Sequence, residues 1–112
     1  GKDGKFYADE KYVRTASGTA YSGTLIALDC LFDVKNMPKR RGRKSIDYYQ
    51  DNLGKIDKKL LKHLNTAYRV LHLEGYYEGE TSISVINSGF EHATSIIDSI
   101  KQYCKNGNGV SE

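Results

Sequence analysis

The last predicted helix carries the feature that most constrains the fold, an apolar seam of regular step. The seam runs through Ile86, Phe90, Ala93, Ile97, Ile100 and Cys104, so its steps alternate between four and three residues. That alternation keeps the apolar side chains on one face of an α-helix and is typical of left-handed antiparallel bundles. Such a seam has to be covered by other helices, and no alternating strand pattern occurs in the chain. We therefore predict an all-α antiparallel helical bundle.

Start and stop signals place the other helices. We predict three main helices, at about residues 8–35, 56–74 and 82–104, with a short or fused helix near 46–53. Ser45 can cap the short helix and Asp57 the second main helix. Gly54 either separates these two helices or bends one long helix, and propensity does not decide between the two. Gly75 is placed to end the second main helix in the left-handed conformation.

The chain is interpreted as one domain of 112 residues, with a flexible leader at 1–7 and a disordered tail at 105–112. No run of apolar residues is long enough for a membrane span, and no signal-peptide pattern is present, so a cytoplasmic protein is predicted.

Cys30 and Cys104 occur in apolar helical pattern and are expected to be buried free thiols.

The first main helix carries two apolar stripes, which predicts two buried faces and hence a central position in the bundle. One stripe is bulky and consists of Tyr21, Leu25, Leu28 and Phe32. The other consists mainly of small residues, which would let a second helix approach closely: Ala16, Ala20, Gly23, Ala27, Cys30 and Val34.

A basic loop at residues 36–45 is the clearest electrostatic feature. It places five positive charges within six residues, whereas the net charge of the whole chain is only +3. This loop is either a solvated connection or a site for nucleic acid or another polyanion, with tyrosines beyond it that could stack on bases. The candidate polyanion-binding residues are Lys39, Arg40, Arg41, Arg43, Lys44, Tyr48, Tyr49, Lys58, Lys62 and Arg69. The solvated connection is the preferred interpretation.

The chain also resembles known families. The runs "YVRTASGTAYSGTLIALDCLF" and "LNTAYRVLHLEGYYEGETSISVINSGFEHATSIIDSIK" resemble helices of HEPN-like bundles. More closely, "KSIDYY", "LNTAYRVLHLEGYYEG" and "GFEHA" resemble a domain-of-unknown-function family of small helical bacterial proteins of the Bacteroidetes type. The resemblance covers nearly the whole chain. It implies a helical bundle and no assigned activity.

The chain departs from active HEPN ribonucleases, which have an Arg followed four to six residues later by a His. Here only two residues separate Arg69 from His72, and Lys58 stands at the required distance from His63 but lacks the planar guanidinium fork. His63, His72 and His92 show no mutual metal-binding spacing and are expected to be partly buried polar residues. We therefore predict no catalysis, no metal and no cofactor.

Self-association is the predicted role. HEPN-like bundles usually have a helix before the tyrosine- and alanine-rich one, and this chain has only the short leader there. The uncovered apolar face of this central helix could be covered by a second copy of the chain, or by a first helix that the given sequence does not include. The leading hypothesis is a non-enzymatic module that binds itself or another protein. The alternative is weak polyanion binding through the basic loop, as a HEPN-like accessory protein.

Overall fold

The fold is an all-α helical bundle, as predicted. The computed structural model describes residues 9–39 and 42–107. Its helices are α1 (Glu10–Val34), α2 (Ile46–Ile56), α3 (Lys58–Ala67), a π-helical segment (Tyr68–Tyr77) that continues α3, and α4 (Ile83–Gly107). α1 packs against the π segment and α4, while α2 and α4 pack against α3. α4 ends three residues beyond its predicted end, and the predicted leader at 1–7 lies outside the described residues.

Side-chain caps begin two of the helices. Asp9 accepts hydrogen bonds from the backbone N–H groups of Lys11 and Tyr12, at 2.9 and 3.3 Å. Asp57 accepts in the same way from Lys59 and Leu60, at 2.9 and 3.1 Å. Each cap satisfies N–H groups that the first turn of a helix leaves without an intrahelical partner.

The boundary between α2 and α3 lies at Asp57 and not at Gly54. α2 continues through Gly54, and the chain breaks at Asp57, which is extended with φ −159° and ψ 106°. Ser45 precedes α2, as predicted, but its side chain makes no capping hydrogen bond. The extended Asp57 turns α3 away from α2, and its other carboxylate oxygen accepts a 2.8 Å hydrogen bond from the Tyr103 hydroxyl of α4.

α1 is buried along one face only, which corrects the prediction of two buried faces. The buried residues are Val13, Ser17, Tyr21, Thr24, Leu28, Leu31 and Phe32. In the small-residue stripe, Cys30 is exposed, and a Cβ on Gly23 would meet no atom within 4 Å. The two cysteines are free, but neither is the buried thiol that was predicted, since Cys30 is exposed and Cys104 is half-buried. Within the described residues, Ala20 and Ala27 of this stripe pack partly against the core, whereas no helix covers Gly23 and Cys30, which is the physical reason for the difference.

The buried seam of α4 consists of Ile86, Gly89, Ala93, Ile96 and Ile100. Phe90 and Ile97, which the apolar pattern assigned to the seam, are only half-buried. The cause is the close approach of α4 to the π segment at Gly89, where a Cβ would lie 2.6 Å from Val70 Cγ1. Because the contact centres on Gly89, the buried face includes Gly89 and Ile96 in place of Phe90 and Ile97, while the other buried positions are those of the predicted seam.

The left-handed glycine after the second main helix is Gly79, with φ 71°, and not Gly75. Gly75 is buried within the π segment, where a Cβ would lie 2.7 Å from Ser17 Cβ. Glycine is therefore required at position 75 for close packing of two helices. The prediction that it supplies a left-handed turn was wrong.

Among the described helices, none combines the length and the apolar character that a membrane span requires.

Candidate functional site

The π segment gathers an aromatic cluster around His72. The His72 ring stacks on Tyr68 at 5.4 Å and on Tyr76 at 6.1 Å between ring centroids, with interplanar angles of 26° and 7°. π-Helical hydrogen bonds join residues five apart, so side chains spaced by four lie nearly above one another. Tyr21 of α1 stacks on the same imidazole at 4.6 Å, and Tyr77 meets it edge-on at 4.9 Å. His72 is thus the centre of an aromatic wall between α1 and the π segment.

This wall borders an open groove of about 780 Å³, which we call the α1 groove. Small and hydroxyl-bearing residues of α1 form its floor, and exposed apolar side chains form its rim. The Tyr76 ring lies against Gly18, where a Cβ would be 2.9 Å from the ring. The lining residues are Thr15, Gly18, Thr19, Tyr21, Ser22, Gly23, Leu25, Ile26, His72, Tyr76 and Tyr77.

Among the described residues, those that line the α1 groove include no Asp, Glu, Lys or Arg. The fourteen residues from Thr15 to Leu28 include no Asp, Glu, Lys or Arg, although 28% of the chain is charged. Ile26 and Tyr77 nevertheless have 64% and 61% of their surface exposed. An exposed helix face that lacks charge and lies beside exposed aromatic side chains has the composition found at the centres of protein interfaces.

Arg14 fixes one end of the groove. Its guanidinium donates hydrogen bonds to the carbonyl oxygens of Tyr76 and Tyr77, at 2.9 and 2.8 Å. Glu10 holds the same guanidinium in a 2.7 Å ion pair. The cation lies at the carboxyl end of the π segment, where the helix dipole favours positive charge and backbone carbonyls need donors. This contact ties the aromatic wall to α1.

Burial lowers the pKa of His72 below its ordinary value. The folded state therefore binds the proton less readily than the unfolded chain does. The contribution of His72 to the free energy of unfolding is thus fully present above about pH 6.5, its unperturbed pKa. We expect the free energy of unfolding to fall as the pH drops below that value. Urea unfolding at several pH values between 7.5 and 5 measures this decrease, and His72→Gln should reduce it. An unchanged slope in this variant would show that His72 does not contribute.

Two lysines of the basic loop are paired with acidic residues of α1. Lys39 lies 3.3 Å from Asp33, and Lys44 lies 3.1 Å from Asp29. Arg43 is exposed, whereas Arg40 and Arg41 lie outside the described residues. The pairing reduces the charge that the loop offers to an anionic partner.

The two tyrosines beyond the loop are part of the bundle. Tyr49 is buried, and its hydroxyl donates to Asp29 at 3.4 Å. Desolvation, together with Asp29, raises the pKa of Tyr49 to about 12. Tyr48 is half-buried against Phe32, and its hydroxyl donates to the Pro38 carbonyl at 3.3 Å. The Tyr49 ring is therefore inaccessible to a nucleic-acid base.

Lys58, Lys62 and Arg69 are exposed along one side of α3 and the π segment. Arg69 lies 3.6 Å from Glu74. His72, in contrast, belongs to the aromatic cluster, so Arg69 and His72 have different partners. Polyanion binding by these three cations stays a prediction.

Sequence reasoning missed two arrangements. The aromatic cluster had a visible signal, since Tyr68, His72 and Tyr76 are spaced by four residues. The second arrangement is a histidine pair: His63 Nδ1 of α3 lies 2.8 Å from His92 Nδ1 of α4. No local spacing could indicate a pair separated by 29 positions.

Comparison with known proteins places the chain among uncharacterised relatives. A solved protein of unknown function from Dyadobacter fermentans is 43% identical, with a TM-score of 0.78; the match covers 87% of this chain and 74% of that one. No curated protein matches. The family model described as Domain of unknown function (DUF5618) matches residues 1–102. The chain therefore belongs to the DUF5618 family.

Proposed function

We propose that this protein is a non-enzymatic module that self-associates through the α1 groove. The observation that carries the proposal is the uncharged face of α1 from Thr15 to Leu28, with Ile26 exposed beside the aromatic wall. Exposed apolar side chains that are bordered by polar residues often mark a site of protein interaction. Depletion of charge with aromatic enrichment is the composition of an interface core.

A second copy of the chain suits this face because the face is self-complementary. Ile26 projects from α1 one turn after Gly23, and there is open space above Gly23. In a two-fold dimer each contact occurs twice, so Ile26 of each protomer would pack over Gly23 of its partner. Glycine and the neighbouring small residues allow two α1 helices to approach closely.

The absence of catalysis is part of the same proposal. Arg69 faces Glu74 while His72 is stacked among tyrosines, so the two residues do not form a cation–histidine pair directed at one phosphate.

A HEPN-like arrangement of the bundle is also proposed, on the sequence resemblance of residues 12–32 and 64–101. Self-association is favoured over polyanion binding because acidic residues pair with two of the loop lysines, whereas the described chain leaves the α1 face uncovered.

Replacing Ile26 by lysine is expected to convert a dimer into a monomer. The substitution would place a charge in the centre of an apolar contact, where an unpaired charge is costly to bury. Sedimentation equilibrium over a range of protein concentrations measures the dissociation constant, and we expect it to rise at least about a hundredfold, equivalent to about 2.7 kcal/mol.

Thr94→Lys is the matched control, because Thr94 is an exposed residue on the polar side of α4. It adds the same charge and should leave the dissociation constant unchanged. Circular dichroism should show the same helix content for both variants. A monomeric wild-type protein at high concentration would refute the proposal.

A further inference from the structure

The histidine pair between α3 and α4 is a second candidate binding site. The Nδ1 atoms of His63 and His92 lie 2.8 Å apart, and the ring centroids are 5.0 Å apart with an interplanar angle of 47°. Both side chains are only partly buried, so solvent reaches the pair. The pair lies on α3 and α4, whereas the α1 groove is formed by α1 and the π segment. It is therefore separate from the proposed interface.

We propose that His63 and His92 together bind a divalent transition metal ion, with Cu²⁺ bound more tightly than Ni²⁺ or Zn²⁺. Imidazole nitrogen is a favourable ligand for these ions. With metal–nitrogen distances of about 2.0–2.1 Å, two nitrogens 2.8 Å apart subtend roughly 84–89° at the metal. Adjacent positions of a square-planar or octahedral ion require such an angle.

The type of metal sets the expected order of affinity. Among first-row divalent ions, nitrogen and oxygen sites bind Cu²⁺ most tightly. Square-planar nitrogen and oxygen ligation is typical of Cu²⁺ and Ni²⁺. In the part of the chain that the structure describes, no group of three or more His, Cys, Asp or Glu residues is placed to hold a metal. Water would therefore supply the other ligands.

Nearby groups set the protonation of the site. Burial, His92 and Lys59 lower the pKa of His63, and Asp57 partly offsets them, so this imidazole is neutral near pH 7. The Asp57 carboxylate already accepts hydrogen bonds from Tyr103 and from two backbone N–H groups. These hydrogen bonds hold the carboxylate at the start of α3 and against α4. The Lys59 cation opposes a bound metal ion by charge repulsion.

Metal binding requires a change of tautomer. In the metal-free pair, one Nδ1–H donates to the other Nδ1, which accepts through its lone pair. When both Nδ1 lone pairs bind the ion, the donating ring gives up its Nδ1 proton and becomes protonated at Nε2 through solvent. No net proton is released at a pH where both rings are neutral. The rings must also rotate, because their lone pairs then point to the metal and not to each other.

Titration calorimetry with Ni²⁺ tests the proposal, using tag-free protein in which Cys30 and Cys104 are replaced by serine to remove thiol ligands. We expect one Ni²⁺ ion per chain. Removing a residue that only hydrogen-bonds to a metal ligand lowers metal affinity 10–100-fold, and removing a ligand itself should cost at least as much. His63→Gln and His92→Gln should therefore each weaken binding at least about tenfold. His72→Gln is the matched control and should leave binding unchanged, and Lys59→Gln should strengthen it.

A spectroscopic measurement on the protein with both histidines intact supplies an independent criterion. Electron paramagnetic resonance of the Cu²⁺ complex should show hyperfine coupling to two equatorial nitrogens. Paramagnetic broadening should affect the imidazole signals of His63 and His92 and spare those of His72. Equal broadening of all three histidines, binding that survives both glutamine substitutions, or Zn²⁺ affinity equal to that of Cu²⁺ would overturn the proposal.

Discussion

Gly75→Ala is expected to lower the free energy of unfolding by about 3 kcal/mol, the upper part of the range for overpacking a core. A methyl group at position 75 would lie 2.7 Å from Ser17 Cβ and within contact of the Val70 carbonyl oxygen at 3.2 Å. Both neighbours are held by helices, so neither can move alone. The Ser17 hydroxyl is also buried without a hydrogen-bond partner among the described residues, which adds a polar atom to the clash. Urea denaturation measures the loss.

Gly23→Ala is the matched control for this experiment. A Cβ at Gly23 meets nothing within 4 Å, and the residue lies inside α1, so alanine should stabilise the protein by about 0.5–1 kcal/mol through its higher helix propensity. The comparison is made in the Ile26→Lys background, so that self-association does not affect the result. Equal free energies for Gly75→Ala and Gly23→Ala would contradict the close contact between α1 and the π segment.

Local chemistry made most of the helices predictable. Asp9 and Asp57 are residues whose short carboxylate side chains reach the first N–H groups of a helix, and both act in this way. The beginnings of α1 and α3 were therefore placed within two residues. The fold class followed from the regular apolar steps of α4, because these steps depend only on the geometry of a single helix.

The π segment was not predictable from the sequence around it. An α-helix and a π-helix present similar local patterns, and the choice between them here accompanies a contact with a distant residue. Gly75 packs against Ser17, 58 positions earlier, while Gly79 closes the segment with φ 71°. A glycine alone does not reveal whether it serves a turn or a close approach of two helices, so the wrong glycine was assigned to the turn.

The sequence alone reveals some parts of the α1 groove and of the histidine pair, but not others. The uncharged stretch of α1 can be read directly from the sequence, although only the structure shows that Ile26 is exposed there. The aromatic wall depends on the π geometry that stacks His72 on its neighbours. The pair of His63 and His92 depends on the relative position of α3 and α4, which sequence spacing does not contain.

Ile96→Ala and Ile97→Ala form a matched pair that tests which face of α4 is buried. The two substitutions remove the same atoms from adjacent positions of one helix, so the change in helix propensity is common to both. Ile96 is fully buried against the core that contains Leu28 and Leu64, whereas Ile97 is half-buried.

Ile96→Ala should therefore cost about 3–4 kcal/mol, because it loses buried apolar surface and leaves a cavity in close-packed surroundings. Ile97→Ala should cost less than about 1.5 kcal/mol, since water can fill the space that it leaves. Thermal and urea unfolding of both variants measures the difference. The reverse order would mean that Phe90 and Ile97 form the seam, as the largest apolar side chains suggest, and that Gly89 does not face the π segment. The expected order follows because the contact at Gly89 sets the rotation of α4, which turns Ile96 and not Ile97 into the core.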